Sequence, residues 1–294
     1  MVTEANQPQP TWISVVRLLR WDKPAGRLIL MIPALWAIVL ATGGTPPLTL
    51  ILVIVFGSLA TSAAGCVVND LWDRDIDPEV ARTRNRPLAS RALTIKTGMV
   101  VALVAFACAF GLALYLNPLS FWLSVAAVPV IICYPLAKRV FPVPQLVLSI
   151  AWGFAVLISW SAANGSLEAT TGLLWGATVL WTLGFDTVYA MSDREDDRRL
   201  GINSSALFFG DFAPNAVGLF FLGTAALMLG VDLQMHLHPV SWLALAIVVI
   251  LWARQYWELR KPEISREIYA QMFRDNVIIG WILLAGMVGG TLIG

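Results

Sequence analysis

Apolar runs of about twenty residues recur along the chain, each the length needed to cross a bilayer core. Nine are present, at about 27–44, 47–68, 97–116, 119–137, 143–163, 171–191, 212–231, 240–257 and 276–293. Prolines at 24, 47, 118, 142, 144, 214, 239 and 262 punctuate their ends, where helices break. Only Asn117 and Pro118 part the third run from the fourth, which predicts a tight helical hairpin. Pro33 and Pro129 fall inside runs, a place that membrane helices tolerate. The pattern predicts an all-α, polytopic membrane protein with nine transmembrane helices. A segment over 1–26 precedes a single helical domain over 27–294, with polar loops at 69–96 and 192–211.

Charge fixes the orientation of this bundle. All 20 Lys and Arg lie before the first run or after the second, fourth, sixth and eighth. The opposite connections hold none. The positive-inside rule then places the N-terminus in the cytoplasm and the C-terminus outside. An odd number of spans requires the ends to be on opposite sides, and the count agrees. The predicted setting is the inner (plasma) membrane.

Composition removes other classes. Apolar residues make up 58% of the chain and charged ones 13%, against roughly 25% charged in soluble domains. A net charge of +1 gives no field that would gather nucleic acid. Cys66, Cys108 and Cys133 sit inside apolar runs and read as small hydrophobes, not as a disulfide or metal framework. The start of the chain shows no short apolar core with a small-residue cleavage site, so the first run reads as a retained span. His236 and His238, on the bare face, read as solvated, and Glu168 and Asp232 as ordinary loop charges. The run from Arg254 to Asn276 reads as an amphipathic cytoplasmic loop. Gln145 reads equally as a helix cap or a cavity residue, and the terminal "GMVGGTLIG" as packing within one chain.

Two polar stretches demand an explanation. "NDLWDRDIDPEVARTRNRPLAS" (69–90) follows the second run, and "DTVYAMSDREDDRRLGINSSA" (186–206) closes the sixth. Asn69, Asp73 and Asp77 are four apart, so a continuing helix stacks them on one face, with Asp70 one residue round. Asp193 and Asp197 repeat the spacing, and Tyr189 and Asp186 extend it toward the membrane. Asp186 falls inside the membrane boundary, where an ionisable group is costly and usually functional.

Same-face carboxylates repel, and a cation removes that penalty. All the ligands are oxygen, so the cation is a hard one: Mg²⁺, or else Mn²⁺ or Ca²⁺. Magnesium is commonly shared between carboxylates and substrate phosphates. Arg74, Arg82, Arg86 and Arg198 add guanidinium forks suited to phosphate oxygens. A single loop of this kind is usually a solvated linker, and Glu79, Glu195 and Asp196 fit that description. Two at matching depth, each where a span ends, point to a bound diphosphate. A diphosphate head at the rim with a tail among the spans describes a polyprenyl diphosphate.

The two stretches resemble the paired aspartate motifs of the intramembrane aromatic prenyltransferases of the UbiA type, most of all those acting on 4-hydroxybenzoate. "LRWDKPAGRLILMIPALWA" (19–37) is similar to that family's entry to its first helix, and "YPLAKRVFPVPQLVLSIAWGFAV" (134–156) to its fourth-to-fifth helix link. The wording "RWDKPAGR" is similar to cyanobacterial members of the plastoquinone pathway. The resemblance implies nine helices around a central cavity, a lateral opening for the tail, and dependence on Mg²⁺. It implies prenylation of 4-hydroxybenzoate beside its hydroxyl, in ubiquinone or plastoquinone synthesis. It carries the metal role onto Asn69, Asp70, Asp73, Asp77, Asp193 and Asp197, with Asp73 and Asp193 essential to catalysis. It matches Arg74 and Arg139 to basic residues that hold the diphosphate or the acceptor carboxylate, with Lys138 beside them at the diphosphate, Arg20 and Lys23 as further candidates for the carboxylate, and Asp186 and Tyr189 at the cavity floor. No obligate protein partner is implied. Relatives using homogentisate, a naphthoate, chlorophyllide or haem would share the diphosphate site. A divalent-cation transporter is the alternative outside enzymes.

Overall fold

The computed structural model describes residues 10–23 and 25–294. Residues 1–9 of the expected leading segment, and the helix break expected at Pro24, lie outside them. The described residues form α-helices and short 3-10 turns, with no strand among them. The helices are α1 (Thr11–Leu18), α2 (Ala25–Ala41), α3 (Leu48–Trp72), α4 (Ile95–Ala113), α5 (Pro118–Val140) and α6 (Pro144–Asn164). They continue with α7 (Ala169–Ser192), α8 (Arg194–Leu200), α9 (Ser205–Phe209), α10 (Ala213–Gln234), α11 (Pro239–Leu259) and α12 (Arg266–Ile293).

Each predicted run finds one long helix. Among the described residues, seven helical stretches are long and apolar enough to cross a membrane: α3, α4, α5, α6, α11, α12 and the Ser205–Gln234 stretch containing α10. The other two runs became α2, of 17 residues, and α7, which mixes Thr, Gly and Asp186 with its apolar residues. Local chemistry sets the boundaries. Thr94 and Asn117 cap α4 and α5, accepting hydrogen bonds from Thr97 N at 3.1 Å and Ser120 N at 3.0 Å. Proline opens α5, α6 and α11, where its missing N–H costs nothing. Gly165 ends α6 at φ 75°, a left-handed position natural to glycine.

The long helices close a ring in chain order. α2 packs on α3, α3 on α4, α5 on α6, α6 on α7, α7 on α10, α10 on α11, α11 on α12, and α12 back on α2. The seam between α4 and α5 is the thin one, and α2 also crosses to α6. That crossing divides the ring. The half formed by α2 to α6 is hollow, with an apolar cavity of ≈ 400 Å³ whose walls include Leu30, Cys66, Phe110, Tyr134 and Trp152.

The other half is solid and aromatic. Trp36 meets Trp181 at 4.9 Å, and Phe221 stacks on Trp252 at 5.1 Å. Its polar centre is buried Asn276, which accepts from the indoles of Trp181 at 3.0 Å and Trp252 at 3.2 Å. The Asn276 amide donates in turn to Gln255 Oε1 at 3.1 Å and to the Met272 carbonyl at 2.9 Å. The terminal glycines pack α12 on α11 within the chain, since a Cβ on Gly286 would lie 2.4 Å from that of Ala244.

Several expectations change. α3 does not continue to Asp77: it stops at Trp72, and Asp77 opens a 3-10 turn, Asp77–Glu79. One helical turn survives because Asp77 N still donates to the Asp73 carbonyl at 2.8 Å. The Arg254–Asn276 run is mostly helix, the end of α11 and the start of α12, because Gln255, Leu259 and Met272 bury one face of it. Asp232 is buried beside Ser241, and Glu168 caps α7. Asp196 is not a solvated bystander: it pairs with Arg266 at 3.2 Å and ties α8 to α12. The sequence also concealed α1, an eight-residue helix that rests on α3 and leaves Trp12 exposed.

Candidate active site

The two acidic stretches meet at one end of the bundle. Asp73 ends α3, and Asp193 stands at the break between α7 and α8. Both are buried. Arg82, in the loop after α3, crosses to Asp193 with a two-pronged contact, Nε at 3.0 Å and Nη2 at 2.6 Å from Oδ2. This joins residues 111 positions apart in a geometry that only a guanidinium fork offers. The same guanidinium lies 4.7 Å over the ring of Tyr189. From the other side Lys138, in the last turn of α5, donates to Asp73 at 2.9 Å. The Lys138 carbonyl accepts from Asn203 N at 2.8 Å, which draws the loop after α8 inward.

Beneath these pairs lies a second layer. Asp70 is fully buried, and its Oδ1 accepts from Arg20 at 2.6 Å and pairs with Arg86 at 3.1 Å. Arg86 also reaches Asp77 at 2.8 Å. Asp70 Oδ2 is buried without a partner. Asp70 was expected among the metal ligands, yet it faces two arginines. Asp197 follows Asp193 by one helical turn, its N–H donating to the Asp193 carbonyl at 2.9 Å. Burial pushes the Asp197 carboxyl up to about 6, with Ser204 opposing and Asp193 adding to the rise. Burial likewise raises Asp77 against the pull of Arg86.

The remaining candidates divide. Asp186, on α7, lies within electrostatic reach of Lys138, Arg82 and Asp193. Arg74 pairs with exposed Asp75 at 3.4 Å, Arg198 projects into solvent, and Arg139 is exposed and caps the Trp72 carbonyl at 2.8 Å. Gln145 is a cap: its Oε1 accepts from Ser205 N at 2.7 Å. Tyr134 carries a connection that the sequence did not suggest. Its ring lines the cavity and its hydroxyl donates to Asn69 Oδ1 at 3.2 Å, so the acids and the apolar chamber share a wall. An aromatic file leads the same way. Trp152 on the cavity wall meets Phe185 at 5.5 Å, Phe185 meets Phe273 at 5.7 Å, and Phe273 meets Tyr189 at 5.1 Å.

The donor set suits a hard divalent cation. Every candidate is oxygen, and no three acidic, His or Cys side chains cluster tightly enough among the described residues to cage an ion unaided. A few carboxylates on each of two elements, with cations held against them, fit magnesium shared with an anion.

A family model described as the UbiA prenyltransferase family matches residues 30–277. The 4-hydroxybenzoate solanesyltransferase of Synechocystis sp. is 63% identical over 292 residues, which is 99% of this chain and 100% of that protein. The 4-hydroxybenzoate octaprenyltransferase of Idiomarina loihiensis is 38% identical over 274 residues, 92% of this chain and 95% of that protein. Among solved structures, a UbiA homolog from Aeropyrum pernix K1 superposes with a TM-score of 0.77 at 24% identity, covering 89% of this chain and 96% of that one. A UbiA homolog from Archaeoglobus fulgidus bound to GPP and Mg²⁺ gives 0.70 at 16% identity, covering 92% and 99%. These last two show the fold.

Proposed function

The chain belongs to the UbiA prenyltransferase family, and from that membership we infer that it transfers a polyprenyl group from polyprenyl diphosphate to 4-hydroxybenzoate, in quinone synthesis. It is an integral membrane enzyme. The observation that carries the reading is the joining of both acidic stretches by Arg82 and Lys138 beside an apolar cavity. The names of its relatives supply the acceptor. Nine spans, read from the apolar runs, a cytoplasmic active site, read from the charge pattern, and a plasma-membrane setting are part of this proposal.

The chemistry follows from the surroundings. Magnesium, held by Asn69, Asp73 and Asp77 on one side and Asp193 and Asp197 on the other, would neutralise the diphosphate and make it a better leaving group. Arg82, Arg86 and Lys138 would then turn from Asp193, Asp77 and Asp73 to phosphate oxygens. Asp70 holds Arg86 and Arg20 from beneath, a positioning role. As the allylic C–O bond breaks, its electron pair leaves with the diphosphate oxygen. Positive charge gathers on the allylic carbon, where aromatic rings of the cavity wall such as Trp152 and Tyr134 can stabilise it. The dry cavity keeps water from capturing that carbon. The ring carbon beside the acceptor's hydroxyl forms the new C–C bond, and its proton passes to a base, for which the released diphosphate is at hand.

Membranes containing the protein, supplied with magnesium, polyprenyl diphosphate and labelled 4-hydroxybenzoate, should yield a lipid-soluble product and free diphosphate. Turnover of homogentisate or a naphthoate in preference to 4-hydroxybenzoate would assign the chain to another branch of the family. Metal flux across liposomes without any diphosphate would support transport instead.

A pH dependence follows from Asp197. Its carboxyl holds a proton below about 6, and that proton competes with the metal. The magnesium concentration for half-maximal activity should rise about tenfold per pH unit below 6. The sign for stability is opposite. A raised carboxyl keeps a proton in the folded chain that the unfolded chain has already lost, so the metal-free protein should lose stability as pH climbs from about 4 through 6. Magnesium titrations and thermal melts across that range test both.

A further inference from the structure

At the charged end of the cavity nearly every cation already faces an acid. Arg20 holds Asp70, Arg82 holds Asp193, Arg86 holds Asp70 and Asp77, and Lys138 holds Asp73. Arg27 is different. It stands in the first turn of α2, directly after Gly26 and three residues before Leu30, both of which line the cavity. Only 6% of it is exposed. Its Nη2 donates to the Leu19 carbonyl, and the guanidinium lies 5.4 Å over the ring of Trp21. Its Nε is buried with no hydrogen-bond partner. Among the described residues no carboxylate forms an ion pair with it. The ionisable side chain within its electrostatic reach is the thiol of Cys66, itself on the cavity wall and one helical turn before Asn69 and Asp70.

A guanidinium hidden from water without an anion is costly. The first turn of a helix adds positive potential of its own. Fold architecture accounts for one donor and the ring contact, and leaves the Nε and the charge unanswered. The three arginines that the sequence offered for the acceptor's carboxylate are otherwise engaged: Arg20 by Asp70, Arg74 by Asp75, Arg139 at the carbonyl of Trp72.

We propose that Arg27 binds the carboxylate of the aromatic acceptor and so sets which end of the ring faces the diphosphate. The proposal rests on the reading of the reaction as prenylation of a hydroxybenzoate. A planar carboxylate matches the guanidinium fork and supplies the missing anion. With that end fixed beside Cys66, the hydroxyl end and the carbon next to it point along the cavity wall, toward Asn69, Tyr134 and the diphosphate pocket.

The test compares 4-hydroxybenzoate with its uncharged amide in the full-length enzyme, at saturating polyprenyl diphosphate and magnesium. The wild type should prefer the acid. Arg27→Gln, which keeps a donor for the Leu19 carbonyl, should raise KM for the acid by about 30-fold or more, the loss expected of a desolvated charge pair. KM for the diphosphate should stay within about threefold, and the acid-to-amide ratio should collapse toward one. Arg27→Lys keeps the charge but not the fork, and should retain part of the preference. A purely architectural role would lower activity toward both acceptors alike. An unchanged acid-to-amide ratio in Arg27→Gln, or a wild type that uses both acceptors equally, overturns the proposal. Should Arg27→Gln fail to accumulate, an unchanged acid KM in Arg27→Lys does the same. If the wild type prenylates neither compound yet accepts another aromatic, the reaction reading itself falls, and this assignment with it.

Discussion

Asp73→Ala and Asp193→Ala should each lower turnover by about 10³-fold, the scale seen when one preorganised electrostatic contact to a transition state is deleted. Both carboxylates are buried, and each is held by one cation, Lys138 at 2.9 Å and Arg82 at 2.6 Å. Removing either one does two things. It takes a ligand from the metal, and it releases a cation whose position served the phosphate. The fold should survive, because neither side chain belongs to the packed aromatic half. Equal yield and an unshifted melting temperature in detergent would confirm that chemistry alone was lost. Raising magnesium should recover part of the rate in Asp73→Asn, where an oxygen ligand remains. Full activity in both alanine variants would remove these residues from the metal site.

Asn276→Leu should produce a large loss of stability in the solid half of the ring. The carboxamide oxygen accepts from two indoles and the amide donates to Gln255 and Met272, so each polar atom of the side chain is used. Leucine fills similar space but leaves two indole N–H groups and the Gln255 oxygen without partners. Each orphaned buried group costs about 1–3 kcal/mol, so a loss of about 3 kcal/mol is expected. A thermal melt in detergent reads it directly, as a drop in midpoint or a failure to accumulate. Asn276→Asp, which keeps the acceptor for both indoles, should fall between. A melt identical to wild type would mean that the three helices meeting there are held by packing alone.

The helices were legible because an apolar run of membrane length has few other uses. The acidic stretches were legible because carboxylates at such a boundary need a reason. The sequence offered no means of seeing that Arg82 reaches Asp193, since a pairing across 111 residues leaves no local periodicity. Asn276 and Gln255 were invisible for a related reason: they look like the polar ends of spans, and only the crossing of α7, α11 and α12 turns them into a node. The stacked face expected through Asn69, Asp73 and Asp77 failed at its last member, because α3 stops at Trp72 and Asp77 opens a separate 3-10 turn. Arg27 escaped notice because counting positive charges treats an arginine at a span's start as an interfacial anchor. Its burial, which gives it chemical meaning, is a property of the folded ring. Tyr134 was passed over because one tyrosine in an apolar run carries no pattern.

The hollow half of the ring has all its ionic groups gathered at one end and the thin α4–α5 seam along its flank. Such a chamber sorts what it makes by solubility. On the proposed reaction the diphosphate would leave from that charged end into water, where other enzymes can hydrolyse it, while the prenylated product, being greasy, would pass into the fatty phase. Once parted, the two rarely find each other again, so the reverse reaction is suppressed by geography as well as by bond energies.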